Sequence, residues 1–167
     1  TEPSGIALIC VGEDAQNSII VASGSNAKLG KENIDLARKA IERADIVLLQ
    51  LEIPMKTVQY AVEFAHAAKV KVILNPAPAQ PLPDDLLSKV NVLTPNEVEA
   101  SAIARLDLES IVDLTAIANK LLDTGVQNVI VTMGQSGAYV QNSSTTYSIP
   151  GIPVEAVDTT ATGDCFC

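Results

Sequence analysis

Aromatic residues and positive charge are scarce in this sequence. It contains no Trp, 2 Phe and 3 Tyr, and its 11 Lys plus Arg stand against 20 Asp plus Glu, which gives a formal net charge of −9. Nucleic-acid binding relies on a basic surface that neutralises phosphates and, for single strands, on aromatic side chains that stack with bases. Because both are lacking, we expect no nucleic-acid partner.

Histidine and cysteine are also too few for the sites they commonly build. The single histidine is His66, and the three cysteines, Cys10, Cys165 and Cys167, are odd in number and poorly spaced for a disulfide framework. A structural zinc site needs about four Cys or His ligands at close spacing. We therefore expect no zinc centre, and a reducing, cytoplasmic compartment fits best.

Long apolar runs are missing as well. The run at 46–51 is far shorter than the roughly 20 residues that span a bilayer, and residues 1–5 lack the basic start of a signal peptide. We therefore expect no membrane association. The remaining composition, 47% hydrophobic and 19% charged over 167 residues, is typical of one packed domain or part of one.

Two different periodicities divide the chain. Residues 5–24 contain two apolar runs around a turn-rich stretch, a pattern that predicts a β-hairpin. From residue 31 onward, helical patterns alternate with short apolar runs that predict strands at 46–49, 70–74, 90–93 and 129–132. The solid run at 46–49 is typical of a central strand buried on both faces. Two further short strands, at 137–141 and 145–149, are expected at an antiparallel edge.

This alternation predicts an α/β fold, with a mostly parallel sheet covered by helices on both faces and a small separate β hairpin. In such sheets, ligands bind at the carboxyl ends of the strands. The residues that follow the predicted strands are Gln50 and Glu52, Asn75 to Ala79, Thr94 to Asn96, Gly134 to Gly137, and Asp158 to Asp164.

Among the segments that follow predicted strands, the loop at 158–164 has the residues best suited to bind an anion and to transfer a proton. Small residues at Ala161 and Gly163 let backbone N–H groups converge at the start of a helix, where phosphate oxygens bind. Asp164 beside such an anion could accept the proton of an attacking hydroxyl. Alternatively, Asp158 or Thr159 caps an ordinary helix, and the loop by itself leaves both interpretations open.

Other polar residues after the strands have two interpretations each. Asn96 and Glu99 share one face of a helix start, where an amide could hold a phosphate and a carboxylate could hold hydrated magnesium, or where both could simply form a helix entry. Glu52 could receive a sugar hydroxyl or be a solvated carboxylate. The stretch 134–137 could be a tight turn or a close backbone approach to a flat ligand.

Several familiar patterns are absent from the sequence. Five residues separate Gly24 from Gly30, and Glu32 occupies the place of the required Ser or Thr, so this stretch is not a P-loop. The sequence also lacks the G-x-G-x-x-G, H-E-x-x-H and G-x-S-x-G patterns. Dehydrogenase, zinc hydrolase and serine hydrolase functions therefore lose support.

Taken together, the motifs resemble those of the ribokinase-like (PfkB) carbohydrate kinase family over essentially the whole chain. Residues 158–164 are similar to its D-T-T-[GA]-A-G-D motif, and residues 96–99 are similar to its N-x-x-E motif. The resemblance implies ATP-dependent phosphorylation of a sugar, with Asp164 as the catalytic base. It implies that the backbone of Ala161, Thr162 and Gly163 forms the anion hole.

The resemblance assigns further roles. Glu52 and Asp164 would contact the sugar, and Asn96 the nucleotide phosphates. Glu99 would hold the magnesium shell, and Asp158 with the Thr160 carbonyl would belong to a potassium site. The residues expected along the nucleotide site are Thr132, Gly134, Gln135, Ser136, Gly137 and Gly163.

Within the family, residues 50–52 and 75–79 favour D-ribose, phosphorylated at its 5-hydroxyl, over fructose or adenosine. A kinase of another sugar or nucleoside, or a non-catalytic relative, stays an alternative. Residues 5–24 resemble part of a lid that covers the sugar and forms a homodimer contact, and residues 25–167 resemble an incomplete kinase domain.

Two departures from the family pattern stand out. Thr162 occupies a position where the family usually has Ala, so its hydroxyl could crowd the anion hole or point away. The resemblance also implies a longer protein, with the segments that complete the sugar and nucleotide sites expected outside these 167 residues. We therefore expect these 167 residues alone to have little or no catalytic activity.

Overall fold

The structure is a computed structural model that describes residues 2–12, 17–106, 113–155 and 160–167. The first two strands, β1 (Ile6–Val11) and β2 (Asn17–Ala22), pair antiparallel in a sheet of their own. The predicted hairpin is therefore confirmed. Its apolar side chains are exposed, including Leu8 at 61% and its cross-strand partner Ile20 at 68%.

The other six strands form one sheet. They are β3 (Ile46–Leu49), β4 (Lys71–Leu74), β5 (Val92–Leu93), β6 (Asn128–Thr132), β7 (Ala138–Asn142) and β8 (Thr146–Ile149), and they lie side by side in sequence order. The first four are parallel, whereas β7 and β8 are antiparallel to their neighbours. This confirms the α/β class, the mostly parallel sheet and the antiparallel edge.

Seven α-helices occur in the described part of the chain. They are α1 (Lys31–Leu36), α2 (Arg38–Glu42), α3 (Met55–Ala67), α4 (Asp84–Leu87), α5 (Glu97–Ala104), α6 (Leu114–Asp123) and α7 (Thr162–Phe166). The sequence pattern predicts one continuous helix from residue 31, but the chain ends α1 and restarts α2 at Ala37. Among the described residues, no helix has the length and apolar character needed to cross a membrane.

The core lies on one face of the sheet. Val72, Leu74, Leu93 and Val129 project from neighbouring strands into a single cluster with buried residues of α3 to α6. Because the parallel strands follow one another in a single direction, right-handed crossovers place all their connecting helices on the same side. The sequence pattern predicts helices on both faces, but the helices of the described residues that join the parallel strands cover only this one.

The position of β3 differs from the sequence expectation. It forms an edge of the six-stranded sheet, and its Ile46 and Leu48 are 50% and 52% exposed. The prediction that 46–49 is a central strand buried on both faces is therefore wrong for the described chain. Val47 and Leu49, which point to the other face, pack against the core.

Candidate active site

A cleft of about 230 Å³ opens at the carboxyl ends of the parallel strands. It is lined by Gln50, Glu52, Asn75, Ala77, Thr94, Asn96, Glu99, Thr132, Ala161, Thr162, Gly163 and Asp164. Strand ends β3 to β6 and the start of α7 therefore contribute to one cavity. This location agrees with the rule that open α/β sheets bind ligands at these ends.

The ends of β3 and β4 carry the side of the cleft that holds Glu52. The Asn75 N–H donates to the Leu49 carbonyl at 2.8 Å, and the Leu51 N–H donates to the Ala77 carbonyl at 2.8 Å. These bonds continue the parallel pairing beyond both strands. Glu52, one residue further on, is exposed and faces the cleft.

At the end of β5, Asn96 caps α5 and pairs reciprocally with Glu99. The Glu99 N–H donates to Asn96 Oδ1, and the Asn96 N–H donates to Glu99 Oε2, each at 2.8 Å. Burial raises the pKa of the Glu99 carboxyl, and the hydrogen bond from Asn96 partly opposes that rise. Both proposed uses, helix cap and ligand contact, are compatible because the same two residues also line the cleft.

At the end of β6, Thr132 lines the cleft, with its N–H donating to the Pro95 carbonyl at 2.9 Å. The stretch 134–137 forms a tight 3-10 turn between β6 and β7 and is not part of the cleft lining. Gly137 has φ +96° and lies against the backbone of Ile149 and Gly151. The fold itself therefore requires a glycine here, and a nucleotide role for 134–137 stays a prediction.

The start of α7 forms the remaining wall. Ala161 is left-handed with φ +59°, and the Cys165 N–H donates to its carbonyl at 3.0 Å. Ala161, Thr162, Gly163 and the exposed Asp164 all line the cleft. Thr160 is described and half-buried, whereas Asp158 lies outside the described residues, so the potassium site stays a prediction.

The attachment of α7 to the sheet has no signal in the sequence. Cys167 Sγ lies 3.2 Å from Asn75 Nδ2 and 3.2 Å from Thr94 Oγ1. In the sequence, Cys167 is only one of three cysteines, Asn75 counts only as part of the stretch 75–79 that favours ribose, and Thr94 has no assigned role. A contact across 92 positions leaves no local pattern in the sequence.

The cleft is acidic. Glu52, Glu99 and Asp164 line it, and no Lys or Arg of the described residues does. An anionic ligand would therefore enter most favourably together with a cation. The described residues contain no cluster of three or more His, Cys, Asp or Glu that could hold a metal by itself, but magnesium commonly uses one or two carboxylates plus water and phosphate oxygens. Glu99 fits that donor set.

Comparison with known proteins adds independent information. A family model described as pfkB family carbohydrate kinase matches residues 1–167. The ribokinase of Haemophilus influenzae is 38% identical over 99% of this chain and 54% of its own length, and the deoxyribokinase of Salmonella typhi is 36% identical over 98% of this chain and 54% of its own length. The chain thus spans about half the length of these curated relatives.

Solved structures agree. The ribokinase of Thermotoga maritima superposes with a TM-score of 0.86 at 38% identity, covering 99% of this chain and 54% of that one. The Arabidopsis thaliana ribokinase, in complex with ribose and ATP, gives 0.83 at 31% identity, with 99% and 54% covered. From the family match and these relatives, the chain belongs to the pfkB family of carbohydrate kinases.

Proposed function

We propose that the whole protein transfers the γ-phosphoryl group of ATP to the 5-hydroxyl of D-ribose, giving ribose 5-phosphate and ADP. One observation carries the proposal: Glu52, the Asn96–Glu99 pair and the Ala161–Asp164 segment line the same cleft. Relatives named ribokinase, one of them solved with ribose and ATP, support the choice of substrates.

Asp164 acts as the general base. Its carboxylate accepts the proton of the 5-hydroxyl while the hydroxyl oxygen bonds to the γ-phosphorus and the bond from phosphorus to the ADP oxygen breaks. An exposed carboxylate in the cleft can receive this proton and return it to solvent after the product leaves. Glu52, which follows β3 and lines the same cleft, orients the sugar through its hydroxyls.

The backbone of Ala161, Thr162 and Gly163 stabilises the negative charge on the transferred group, because the N–H groups in the first turn of a helix point outward along its axis. Asn96 contacts the nucleotide phosphates, and Glu99 holds the magnesium shell. Magnesium, when bound, neutralises part of the phosphate charge that this acidic cleft would otherwise repel. Asp158 and the Thr160 carbonyl belong to a potassium site beside the anion hole.

Thr132 and the turn at 134–137 line the nucleotide path, and the β1–β2 hairpin (5–24) is part of a lid over the kinase domain (25–167). The hairpin is apolar on both faces: Leu8 and Ile20 lie on one face, and Ile9 and Ile19 on the other. One face can cover the sugar while the other packs against a second copy, which supports a homodimer.

A second candidate is phosphorylation of 2-deoxy-D-ribose. The deoxyribokinases of Salmonella typhi and Salmonella typhimurium are 36% identical to this chain, close to the value for the ribokinases. The two sugars differ only at the 2-position, while the base and the anion hole serve the 5-position. The residues at the cleft therefore suit both substrates.

The test is ADP release by the purified whole protein with magnesium and potassium, comparing ribose, 2-deoxyribose, fructose and adenosine at equal concentration. We expect the highest kcat/KM for ribose and a product phosphorylated at the 5-position by mass spectrometry and NMR. A higher kcat/KM for 2-deoxyribose than for ribose would identify 2-deoxyribose as the substrate in place of ribose. Turnover of fructose or adenosine alone, or of none of the four, would contradict the proposal.

A further inference from the structure

We propose that Asn75 is a positioning residue that sets both the helix carrying Asp164 and the segment carrying Glu52. This inference rests on the proposed kinase function. Asn75 follows β4, between the ends of β3 and β5, and borders the cleft. Its side-chain amide makes hydrogen bonds both toward the segment that carries Glu52 and toward α7.

The amide oxygen serves the Glu52 side. Asn75 Oδ1 accepts the Ala77 N–H at 3.2 Å, and the Ala77 carbonyl in turn accepts the Leu51 N–H at 2.8 Å. Glu52 is the next residue after Leu51. Two consecutive hydrogen bonds therefore connect the Asn75 side chain to the backbone that presents Glu52 to the cleft.

The amide nitrogen serves the Asp164 side. Asn75 Nδ2 donates to the Thr94 carbonyl at 3.2 Å and to Cys167 Sγ at 3.2 Å, and Thr94 Oγ1 also lies 3.2 Å from that sulfur. The Cys167 N–H donates to the Gly163 carbonyl at 3.3 Å. The thiol thus holds the turn of α7 that contains Gly163 and Asp164 against the ends of β4 and β5.

An asparagine suits this position because its side chain supplies an acceptor and two N–H donors in one plane. Aspartate would keep the acceptor and lose both donors, and alanine would lose all three hydrogen bonds. The Cys167 sulfur is a weak acceptor for the amide N–H, and a serine hydroxyl oxygen at this position would be a stronger acceptor. Substitutions at Asn75 and at Cys167 can therefore distinguish the hydrogen bonds toward the Glu52 segment from those toward α7.

Separate consequences follow for the two kinetic constants. Loss of the Cys167 contact frees α7 and misplaces Asp164, which lowers kcat and leaves the KM for the sugar nearly unchanged. Loss of the Asn75 side chain frees both parts, so kcat falls and the KM for the sugar rises. A displacement of about 1 Å at reacting groups can reduce the rate about a hundredfold.

The experiment uses the whole protein with the variants Asn75→Ala, Cys167→Ala, Cys167→Ser and the Asn75→Ala/Cys167→Ala double variant. We expect kcat to fall about tenfold or more in Cys167→Ala and to recover in Cys167→Ser. If both residues act on α7 together, the double variant has no lower kcat than Asn75→Ala alone. Cys165→Ala is the matched control, because both thiols are exposed but only that of Cys167 makes hydrogen bonds to the residues after β4 and β5 in the described structure.

Amide hydrogen exchange supplies a readout that does not depend on activity. We expect the Leu51 and Cys165 amides to exchange about three- to tenfold faster in Asn75→Ala, the factor that one neutral hydrogen bond represents, and only the Cys165 amide to do so in Cys167→Ala. Unchanged exchange at both amides in Asn75→Ala overturns the inference, as does faster exchange with unaltered kcat and KM. If the wild-type protein phosphorylates no sugar, the proposed function fails and exchange alone decides whether Asn75 positions these segments.

Discussion

The backbone N–H of Asn96 donates to Glu99 Oε2 at 2.8 Å, and the Glu99 N–H returns a bond of equal length to Asn96 Oδ1. This reciprocal pair fixes the start of α5 and places both residues at the cleft. Glu99 is only 7% exposed, and partial desolvation of its carboxylate lowers the stability of the fold. A group that costs stability and borders the cleft is a strong candidate for function.

Replacing Glu99 by glutamine should raise stability at neutral pH and weaken the response to magnesium. The new amide oxygen would still accept the Asn96 N–H. The raised pKa means that native Glu99 binds its proton to higher pH than the unfolded chain does, so the wild type loses stability as pH rises from the ordinary value of 4.5 through the raised one. Chemical unfolding at several pH values should show the variant gaining relative to the wild type across that window.

In activity assays, the magnesium concentration that gives half-maximal rate should rise about tenfold in Glu99→Gln, as expected when an outer ligand contact is lost. The Glu97→Gln variant removes a neighbouring half-buried carboxylate outside the cleft lining and serves as the control. An unaltered magnesium response in Glu99→Gln would remove Glu99 from the proposed magnesium shell.

Replacing Glu52 by glutamine should mainly raise the KM for the sugar. A hydrogen bond to a charged group contributes about 1.5–3 kcal/mol, so we expect an increase of about ten- to a hundredfold. The KM for ATP should stay near the wild-type value, because Glu52 lies on the β3 side of the cleft. Glu63→Gln, an exposed carboxylate on α3, is the control; equal effects of both variants on the sugar KM would disprove the role of Glu52.

Gly137→Ala should destabilise the protein more than Gly134→Ala. Both glycines have positive φ, which alone costs alanine about 1–2 kcal/mol. A Cβ at 137 would also collide with the Ile149 carbonyl oxygen, whereas nothing lies within 4 Å of a Cβ at 134. Urea unfolding of the two variants measures the difference, and equal stabilities would contradict the packing of β8 against this turn.

The hydrogen bond between Tyr60 and Asp35 should contribute stability that is lost in acid. The Tyr60 hydroxyl donates to Asp35 Oδ1 at 2.6 Å, and this bond, together with Arg38 and Lys31, holds the pKa of Asp35 below its ordinary value of 3.8. A lowered native pKa stabilises the fold above the ordinary value, and that stability disappears as pH falls through the native pKa.

The free energy of unfolding should therefore differ between wild type and Tyr60→Phe at about pH 6, and the difference should shrink toward about pH 3. Tyr147→Phe removes the hydroxyl of a tyrosine that is 53% exposed on β8 and serves as the control. A difference that is independent of pH would show that Tyr60 acts through packing, for example under the Lys31 ammonium 4.8 Å from its ring centre.

Much of the fold could be predicted because its elements carry local patterns. Asp113 caps α6 by accepting the Ala116 N–H at 3.0 Å, and Gly125, with φ +102°, follows its end; aspartate before a helix and glycine after one are common local signals. The neighbours of a strand are set by long-range pairing instead. An apolar run such as 46–49 therefore predicts a strand correctly and says little about whether it becomes an edge.

The site divides in the same way. Glu52, Asn96, Glu99 and 161–164 are candidates from the sequence because each follows a predicted strand or starts a helix, and all of them line the cleft. The hydrogen bond between Asn75 and Cys167 cannot be predicted from the sequence, because it depends on how α7 packs against the ends of β4 and β5. The sequence shows two glycines at 134 and 137 but not why position 137 needs one. The reason is that the backbone of residues 149–151 lies too close to Gly137 for a Cβ.

The most direct test of the central claim compares the whole wild-type protein with Asp164→Asn for ribose-dependent ADP release and, on the same samples, for ATP binding by calorimetry. Loss of a general base typically reduces the rate about 10²–10⁴-fold, so we predict a kcat at least about a hundredfold lower with nearly unchanged ATP affinity. Turnover that survives in Asp164→Asn, or a wild-type protein that binds ATP and transfers phosphate to no sugar, would contradict the account.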